Sequence, residues 1–97
     1  MIIKQLSDNE IRVIIFKALA DEVRLNIVTM LYKKQAEMSC GEIGDNLDLN
    51  KSTASYHFKT LREAGLTTTR KHGQNKYVSL NVDVFNEILP GFLDTLA

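Results

Sequence analysis

The chain has 97 residues, of which 44% are hydrophobic and 25% are charged, and its twelve Lys and Arg residues balance twelve Asp and Glu residues. This composition is typical of one small globular domain and argues against an intrinsically disordered chain. The longest uninterrupted apolar segment, residues 13–16, is too short for a membrane span or a signal peptide, so we expect a cytoplasmic protein without membrane association. A single cysteine, Cys40, cannot form an internal disulfide bond, which is compatible with a reducing cytoplasm.

Two helices are predicted in the first third of the chain. Ser7 and Glu10 have the spacing of a capping box, and the apolar residues that follow at helical intervals predict a first helix over about residues 7–19. Asp21 is placed to cap a second helix, which ends near residues 33–34, where two lysines suit the negative C-terminal end of a helix.

Residues 39–64 have the pattern of a helix-turn-helix. Ser39 and Glu42 repeat the capping-box spacing ahead of a short third helix, and a polar break at residues 48–50 follows. Asn50 is then placed to cap a fourth helix. A short helix, a turn of about three residues and another helix form the arrangement in which the second helix can enter a DNA major groove.

The fourth helix has one apolar side and one polar side. Ala54, Phe58 and Leu61 fall on the inner side at helical spacing, whereas hydroxyl side chains crowd the first turn. Small side chains let the helix approach a groove closely, and the free amide groups of its first turn attract phosphate. The open alternative is that Ser and Thr merely favour helix starts. The residues expected to contact base edges, sugars and phosphates are Ser52, Thr53, Ser55 and Tyr56.

A β-hairpin, or wing, is predicted over about residues 66–80, because β-prone segments flank the turn-forming residues 72–75. Residues 51–76 contain six basic residues and one acidic residue, a formal balance of +5, and the rest of the chain carries −5. Positive charge on a helix-turn-helix and its hairpin is expected of a duplex-binding face, although a merely solvated charged face is the alternative. The basic residues assigned to phosphate contacts are Lys51, Lys59, Arg62, Arg70, Lys71 and Lys76.

The terminal helices carry more apolar surface than one small domain is expected to bury. Residues 13–16 make the first helix apolar nearly all round, and apolar residues repeat every three or four positions over about residues 82–96. We therefore expect a homodimer that shares the terminal helices 7–19 and 82–96. Pro90 predicts a kink or a split near Leu89. The predicted interface residues are Ile11, Ile14, Ile15, Phe85, Leu89 and Phe92.

Three segments resemble those of the ArsR-type winged helix-turn-helix repressors: FKALADEVRLNIV, MSCGEIGDNLDLNKSTASYHFKTLREAGL and TRKHGQNKYVSL, between residue 16 and about residue 80. The resemblance implies a mainly α fold with a β-hairpin wing, in one winged helix-turn-helix domain over residues 1–97. It places the recognition helix at residues 52–58 and the wing at residues 70–77. It also implies a homodimeric, sequence-specific double-stranded DNA-binding transcription regulator, and specifically a repressor.

The resemblance further implies chemical sensing, and here the chain departs from the family. Arsenic sensors of the family carry a Cys-x-Cys pair at the positions of Ser39 and Gly41, and zinc sensors use acidic and histidine ligands on the last helix. This chain has Asp83 on that helix but no histidine after residue 72. Both ligand sets are missing, so we expect no metal and no cofactor, and the sequence does not indicate the effector. Cys40 falls at the apolar position between the missing pair, which favours burial, with oxidation or an intersubunit bond as the alternative.

An enzymatic function is not expected. An active site needs a nucleophile, an orienting base and an oxyanion site, and the sequence offers only a formal pair of Cys40 and His57. His57 lies near the apolar side of the fourth helix, which favours packing at the edge of the core over DNA contact. The alternative function is a winged-helix module that binds proteins and whose basic face is incidental.

Overall fold

The chain runs through α1 (Asp8–Leu19), α2 (Glu22–Lys34), β1 (Met38–Ser39), α3 (Cys40–Asn46), α4 (Lys51–Glu63), β2 (Thr67–His72), β3 (Asn75–Leu80) and α5 (Val82–Ile88), and then a 3₁₀ helix (Leu93–Leu96). These elements come from a computed structural model that describes residues 6–97, so residues 1–5 of the predicted domain lie outside the described residues. The predicted mainly α fold with a β-hairpin wing is confirmed. Over the described part of the chain, no helix combines the length and apolar character needed to cross a membrane.

Side-chain caps start the helices at the positions that the sequence predicted. The Ser7 hydroxyl accepts from the Glu10 amide at 3.1 Å, and the Ser7 amide donates to the Glu10 carboxylate at 3.2 Å, which completes the capping box of α1. The hydroxyl of Ser39 accepts from the amide of Glu42 at 3.0 Å, and the side-chain oxygen of Asn50 caps α4. Each cap fixes where its helix begins, and therefore how α3 and α4 are separated by a short turn.

Asp21 caps α2, and its carboxylate is expected to contribute to stability. Its Oδ1 accepts from the Arg24 backbone amide at 3.1 Å, and this hydrogen bond lowers the pKa of the carboxyl below its ordinary value. We expect Asp21→Ala to lower the free energy of unfolding by about 1 kcal/mol. Asp21→Asn keeps a capping oxygen and should cost less.

The lowered pKa of Asp21 also predicts how this contribution depends on pH. Because the folded-state pKa lies below the unfolded-state pKa, the charge-dependent stability is present above the unfolded-state value and is lost as pH falls through the folded-state value. Denaturant unfolding of the wild type and of Asp21→Asn at neutral pH and at about pH 3 measures it. An identical pH dependence in the two proteins would show that the charge contributes nothing.

The three strands form one antiparallel sheet in the order β1-β3-β2. His72 pairs with Asn75 across the hairpin, so residues 73–74 form the tip of the wing. Strand β1 was not predicted, because two residues are too few to show an alternating pattern. It pairs Met38 with Val78 and thereby attaches the chain just before α3 to the wing. The helix-turn-helix and the wing are consequently held in one unit.

The terminal segment splits where the sequence predicted. Helix α5 ends at Ile88, Leu89 leaves helical geometry with φ −131° and ψ 63°, and the 3₁₀ helix Leu93–Leu96 follows. The ring of Phe92 stacks on Phe85 with centroids 6.1 Å apart and planes 7° from parallel. The segment therefore folds back onto its own chain after the break at the proline.

Two residues predicted at the dimer interface lie in the core of their own chain, which corrects their assignment. Ile15 is 1% exposed and Phe85 is 0% exposed, so neither side chain presents a surface to a second subunit. Ile15 shares with Ala18 and Leu19 the side of α1 that faces the core, and α1 packs against α2 and α4. The other predicted interface residues retain exposed surface: Ile11, Ile14, Leu89 and Phe92.

Candidate nucleic-acid interface

Helices α3 and α4 form the predicted helix-turn-helix. The Leu49 amide donates to the Gly44 carbonyl at 2.9 Å, which closes the turn between the two helices. The apolar side of α4 is buried through Ala54, Phe58 and Leu61. Because the inner side is anchored, the outer side of α4 is presented to solvent at a fixed orientation.

Four side chains that were predicted to contact DNA from α4 are exposed: Ser52, Thr53, Ser55 and Tyr56. Tyr56 is the most prominent of them, with 61% of its surface exposed. The hydroxyl of Ser52 donates to the Asn50 side-chain oxygen at 3.3 Å, so Ser52 takes part in the cap of α4. Ser55 and Tyr56 lie almost one turn further along, beyond the capping contacts, where side chains can project into a groove.

Six basic side chains that were predicted to contact phosphate are exposed on α4, β2 and β3: Lys51, Lys59, Arg62, Arg70, Lys71 and Lys76. Lys71 and Lys76 are direct partners in the β2–β3 register, next to the tip of the wing. Like charges directly opposite each other destabilise a sheet. The repulsion between these two positive charges therefore destabilises the hairpin. A bound polyanion would reduce this repulsion.

Two of these six basic residues form ion pairs with acidic side chains. The Arg70 guanidinium donates to both carboxylate oxygens of Glu37, at 2.6 Å and 3.3 Å, and its Cζ lies 4.8 Å from the centroid of the Tyr77 ring. This hydrogen-bonded contact lowers the pKa of Glu37. Lys59 and Glu63 lie one helical turn apart with a 3.7 Å separation of charged atoms. Arg70 is therefore held by the protein itself, in a pair that spans 33 residues and that no local sequence pattern reveals.

Arg24 is a buried residue in contact with α4 that the sequence analysis missed. It is 8% exposed and lies beneath the outer face of α4, where its Nη1 donates to Nδ1 of His57 at 3.0 Å. His57 is 7% exposed, so its predicted packing at the edge of the core is confirmed. A signal was present: Arg24 occupies the inward helical face that Ile27 and Leu31 define, and a charged residue there requires a buried partner.

The chain is similar to known transcription regulators. Residues 19–70 match the helix-turn-helix domain family. The chain is 60% identical over 96 residues to the HTH-type transcriptional regulator YceK of Bacillus subtilis. The aligned residues make up 99% of this chain and 95% of YceK. The structure of HlyU from Vibrio cholerae, named a transcriptional activator, superposes with a TM-score of 0.73 and 35% identity, over 87% of this chain and 90% of HlyU.

A third similar protein is described as a homodimer. The solution structure of the homodimeric winged helix-turn-helix DNA-binding domain of Mb0332 from Mycobacterium bovis, a possible ArsR-family regulator, matches with a TM-score of 0.73 and 27% identity. The match covers 89% of this chain and 83% of that one. The chain belongs to the ArsR-type winged helix-turn-helix family. The relatives and the fold of this ArsR-type protein are those of transcription regulators with a DNA-binding domain, not of enzymes.

Side chains that could bind a metal ion do not cluster in the described part of this ArsR-type protein. Among residues 6–97, no three His, Cys, Asp or Glu side chains come together in a group that could hold a metal ion. Cys40, for which the sequence analysis favoured burial, is the first residue of α3 and is half-buried. Burial raises the pKa of its thiol, although the positive charges of Lys76 and Arg62 oppose the shift. The thiol form is therefore favoured over the nucleophilic thiolate.

Proposed function

We propose that this protein is a homodimeric repressor that binds double-stranded DNA sequence-specifically, with α4 as the reading helix and the wing as a phosphate clamp. Two features support this most directly: α4 is anchored by its buried side and exposes its outer side, and six basic side chains are exposed on α4 and the wing. The name of Mb0332 describes a homodimeric DNA-binding domain with the same fold. The bacterial relatives of this protein support a location in the cytoplasm, where the DNA of a bacterium is accessible.

The residues divide by chemistry into reading and positioning groups. Ser55 and Tyr56 carry the side chains that are placed to reach base edges when the outer side of α4 lies in the major groove. Ser52 and Thr53, in the first turn, are placed to bind sugar and phosphate together with the free amide groups there. The basic residues other than Arg70, including Lys59 beside Glu63, neutralise backbone phosphates: Lys51, Lys59, Arg62, Lys71 and Lys76. Arg70 joins them only when it leaves the Glu37 carboxylate.

The proposed subunit interface uses the outer side of α1. Phe16 is 51% exposed and Val13 is 48% exposed, on the side of the helix that faces away from the core residue Ile15. A shallow apolar cleft on the same helix is lined by Leu6, Asn9, Glu10, Val13 and Ile14. A second copy of the chain would remove this surface from water and would present two reading helices to half-sites about one helical turn, roughly 34 Å, apart.

Repression is the simplest regulatory outcome of such a dimer, because it requires only that the bound protein occupy DNA that the transcription machinery needs. HlyU carries the name of an activator, so the sign of regulation needs its own measurement. Transcription in vitro from a promoter that contains the preferred site should decrease when the dimer is added. An increase would reverse the proposed sign without affecting the proposed DNA binding.

Selection of bound fragments from sheared genomic DNA, followed by a mobility-shift assay, tests sequence-specific binding. We expect a small set of fragments with a two-fold repeated motif to be retained at salt concentrations that release unrelated DNA. Equal retention of all fragments, released together as salt is raised, would favour the alternative of a protein-binding module with an incidental basic face.

Metal ions are not expected to release the protein from DNA. The positions that match the thiolate ligands of the arsenic sensors hold Ser39 and Gly41, and neither side chain is a soft ligand. Addition of Zn(II), Cd(II) or As(III) in modest excess should leave the mobility shift unchanged, and equilibrium dialysis should show weak binding only. Tight, stoichiometric binding that is coupled to release from DNA would contradict this expectation.

The contact between Glu37 and Arg70 predicts a variant that binds DNA more tightly. The Glu37 carboxylate occupies the bidentate position on the guanidinium that a phosphate would take. Glu37→Gln should free Arg70, raise the affinity for preferred and unrelated duplexes alike, and steepen the salt dependence by about one unit for each additional phosphate that the protein neutralises.

The matched control for this prediction is Glu42→Gln, which removes one negative charge from an exposed position on α3 that does not contact Arg70. Filter binding at several salt concentrations compares the two variants with the wild type. If both variants raise the affinity to the same extent, net charge explains the effect and the release of Arg70 does not.

A further inference from the structure

We propose that Arg24 is a positioning residue for DNA reading, which fixes the orientation of α4 relative to α1 and thereby the spacing of the two reading helices in the dimer. The part of this inference that concerns the dimer and DNA rests on the proposed function. The part that concerns the orientation of the two helices within one chain does not.

The Arg24 side chain makes three hydrogen bonds, to two different helices. Its Nε donates to the Ala18 carbonyl at 2.6 Å, its Nη2 to the Lys17 carbonyl at 3.4 Å and its Nη1 to Nδ1 of His57 at 3.0 Å. The two carbonyls belong to the last turn of α1, where carbonyl groups lack partners within the helix. The rigid, planar fork of a guanidinium serves all three acceptors at once, and the single ammonium of a lysine cannot reproduce this geometry.

Arg24 is also the hydrogen-bond partner of the His57 ring. A guanidinium only donates, so Nδ1 of His57 is the acceptor in this hydrogen bond. The Asp21 carboxylate is 4.0 Å from the same nitrogen, beyond hydrogen-bond distance, so Arg24 is the partner of the ring. His57 therefore connects α4 to Arg24 through one hydrogen bond.

The same guanidinium supports the exposed reading residue Tyr56. The Arg24 Cζ lies 5.9 Å from the centroid of the Tyr56 ring, within the range of a cation–π contact. The Tyr56 and His57 rings are neighbours, with centroids 5.3 Å apart and planes inclined at 59°. A buried arginine thus lies between the end of the proposed dimer helix and the centre of the reading face.

This location predicts a specific effect on DNA binding. Helix α1 carries the proposed subunit interface and α4 carries the reading face, so the angle between them determines how far apart two reading helices lie. Removal of the three-way contact should make that angle less defined. The variant dimer should then discriminate less between duplexes that differ in the spacing of their half-sites. A uniform decrease in affinity would instead weaken binding to all these duplexes equally.

The first measurement uses the free protein and needs no DNA. Spin labels at Arg12→Cys on α1 and Glu63→Cys on α4, in a Cys40→Ser background and diluted with unlabelled protein, report the distance between the two helices. We expect a narrow distance distribution in the otherwise unchanged protein and a broader or shifted one after Arg24→Lys or His57→Leu. His57→Asn should preserve the narrow distribution, because its amide oxygen can accept from Arg24 in place of Nδ1.

An unchanged distribution in both Arg24→Lys and His57→Leu would overturn the inference. If Arg24→Lys does not fold, the comparison of His57→Leu with His57→Asn still decides the test, because both variants leave Arg24 in place. Circular dichroism and thermal unfolding establish which variants are folded at the temperature of the measurement. A merely stabilising role for Arg24 would lower the melting temperature and leave the distance distribution of the folded protein unchanged.

The second measurement uses the duplex that the wild type selects and the same duplex with one base pair inserted between its half-sites. Arg24→Lys and His57→Leu should reduce the preference for the original spacing by about tenfold, the effect of removing one hydrogen bond of a charged group, and His57→Asn should retain it. If the affinity for both duplexes decreases equally, Arg24 does not set the preferred spacing of the half-sites. If the wild type itself selects no duplex, the proposed DNA binding fails, and the distance measurement still decides whether Arg24 orients α4.

Discussion

Phe16→Asp is expected to dissociate the dimer. Phe16 is 51% exposed on the outer side of α1, so its replacement by a carboxylate leaves the fold of one chain intact but places a charge in the proposed apolar interface. Such a charge should weaken self-association by about 3 kcal/mol or more, roughly a hundredfold in the dissociation constant. Sedimentation velocity over a range of protein concentrations measures the change. The affinity for a two-half-site duplex should fall with it, because each monomer binds only one half-site.

The matched control is Tyr56→Asp, which makes the same kind of substitution at another exposed aromatic residue, 61% exposed on α4. This variant should lose DNA binding and remain a dimer. Circular dichroism must show that both variants are folded. If the double variant Val13→Asp, Phe16→Asp still sediments as a dimer, the outer side of α1 is not the interface.

The helix starts could be predicted because their causes are local. Ser7, Asp21 and Asn50 each cap a helix through a contact with the amide three residues later, and such spacing is visible in the sequence. The break after α5 was equally predictable, since Pro90 disfavours helical geometry at the residue before it. These features required no knowledge of what the helices pack against.

The contacts that organise the candidate interface could not be predicted in this way. Arg24 meets His57, and Glu37 meets Arg70, in pairs whose members are each 33 residues apart. Whether a basic side chain is free for phosphate or held by its own chain depends on such tertiary neighbours. The six basic residues named from the sequence are exposed, but the sequence did not reveal that Arg70 is already paired with Glu37.

The two sides of α1 illustrate a further limit. Its residues 13–16 are all apolar, so the sequence indicated surplus apolar surface without showing which side the core would take. The positions of α2 and α4 decide this, and they bury Ile15 while they leave Val13 and Phe16 exposed. The exposed side of α1 can be identified only when the packing of α1 against α2 and α4 is known.

Reading and positioning contacts are expected to respond differently to substitution. Tyr56→Ala and Ser55→Ala should each cost roughly 1–3 kcal/mol on the preferred duplex and less on a scrambled one, because we propose that their exposed side chains contact base edges. Lys71→Ala and Lys76→Ala should weaken binding to both duplexes similarly. Each should also reduce the slope of affinity against salt by about one unit for every phosphate that the variant no longer neutralises.

Tyr56→Phe separates the two ways in which Tyr56 can contribute. The phenyl ring keeps the contact with the Arg24 guanidinium and removes only the hydroxyl. If the hydroxyl reads a base, Tyr56→Phe should lose most of the discrimination that Tyr56→Ala loses, whereas a ring that only packs against DNA would leave Tyr56→Phe close to the wild type. Fluorescence anisotropy with preferred and scrambled duplexes at several salt concentrations measures all five variants. Equal decreases in affinity on both duplexes for Ser55→Ala and Tyr56→Ala would show that these residues position the protein, and that base reading lies elsewhere than on α4.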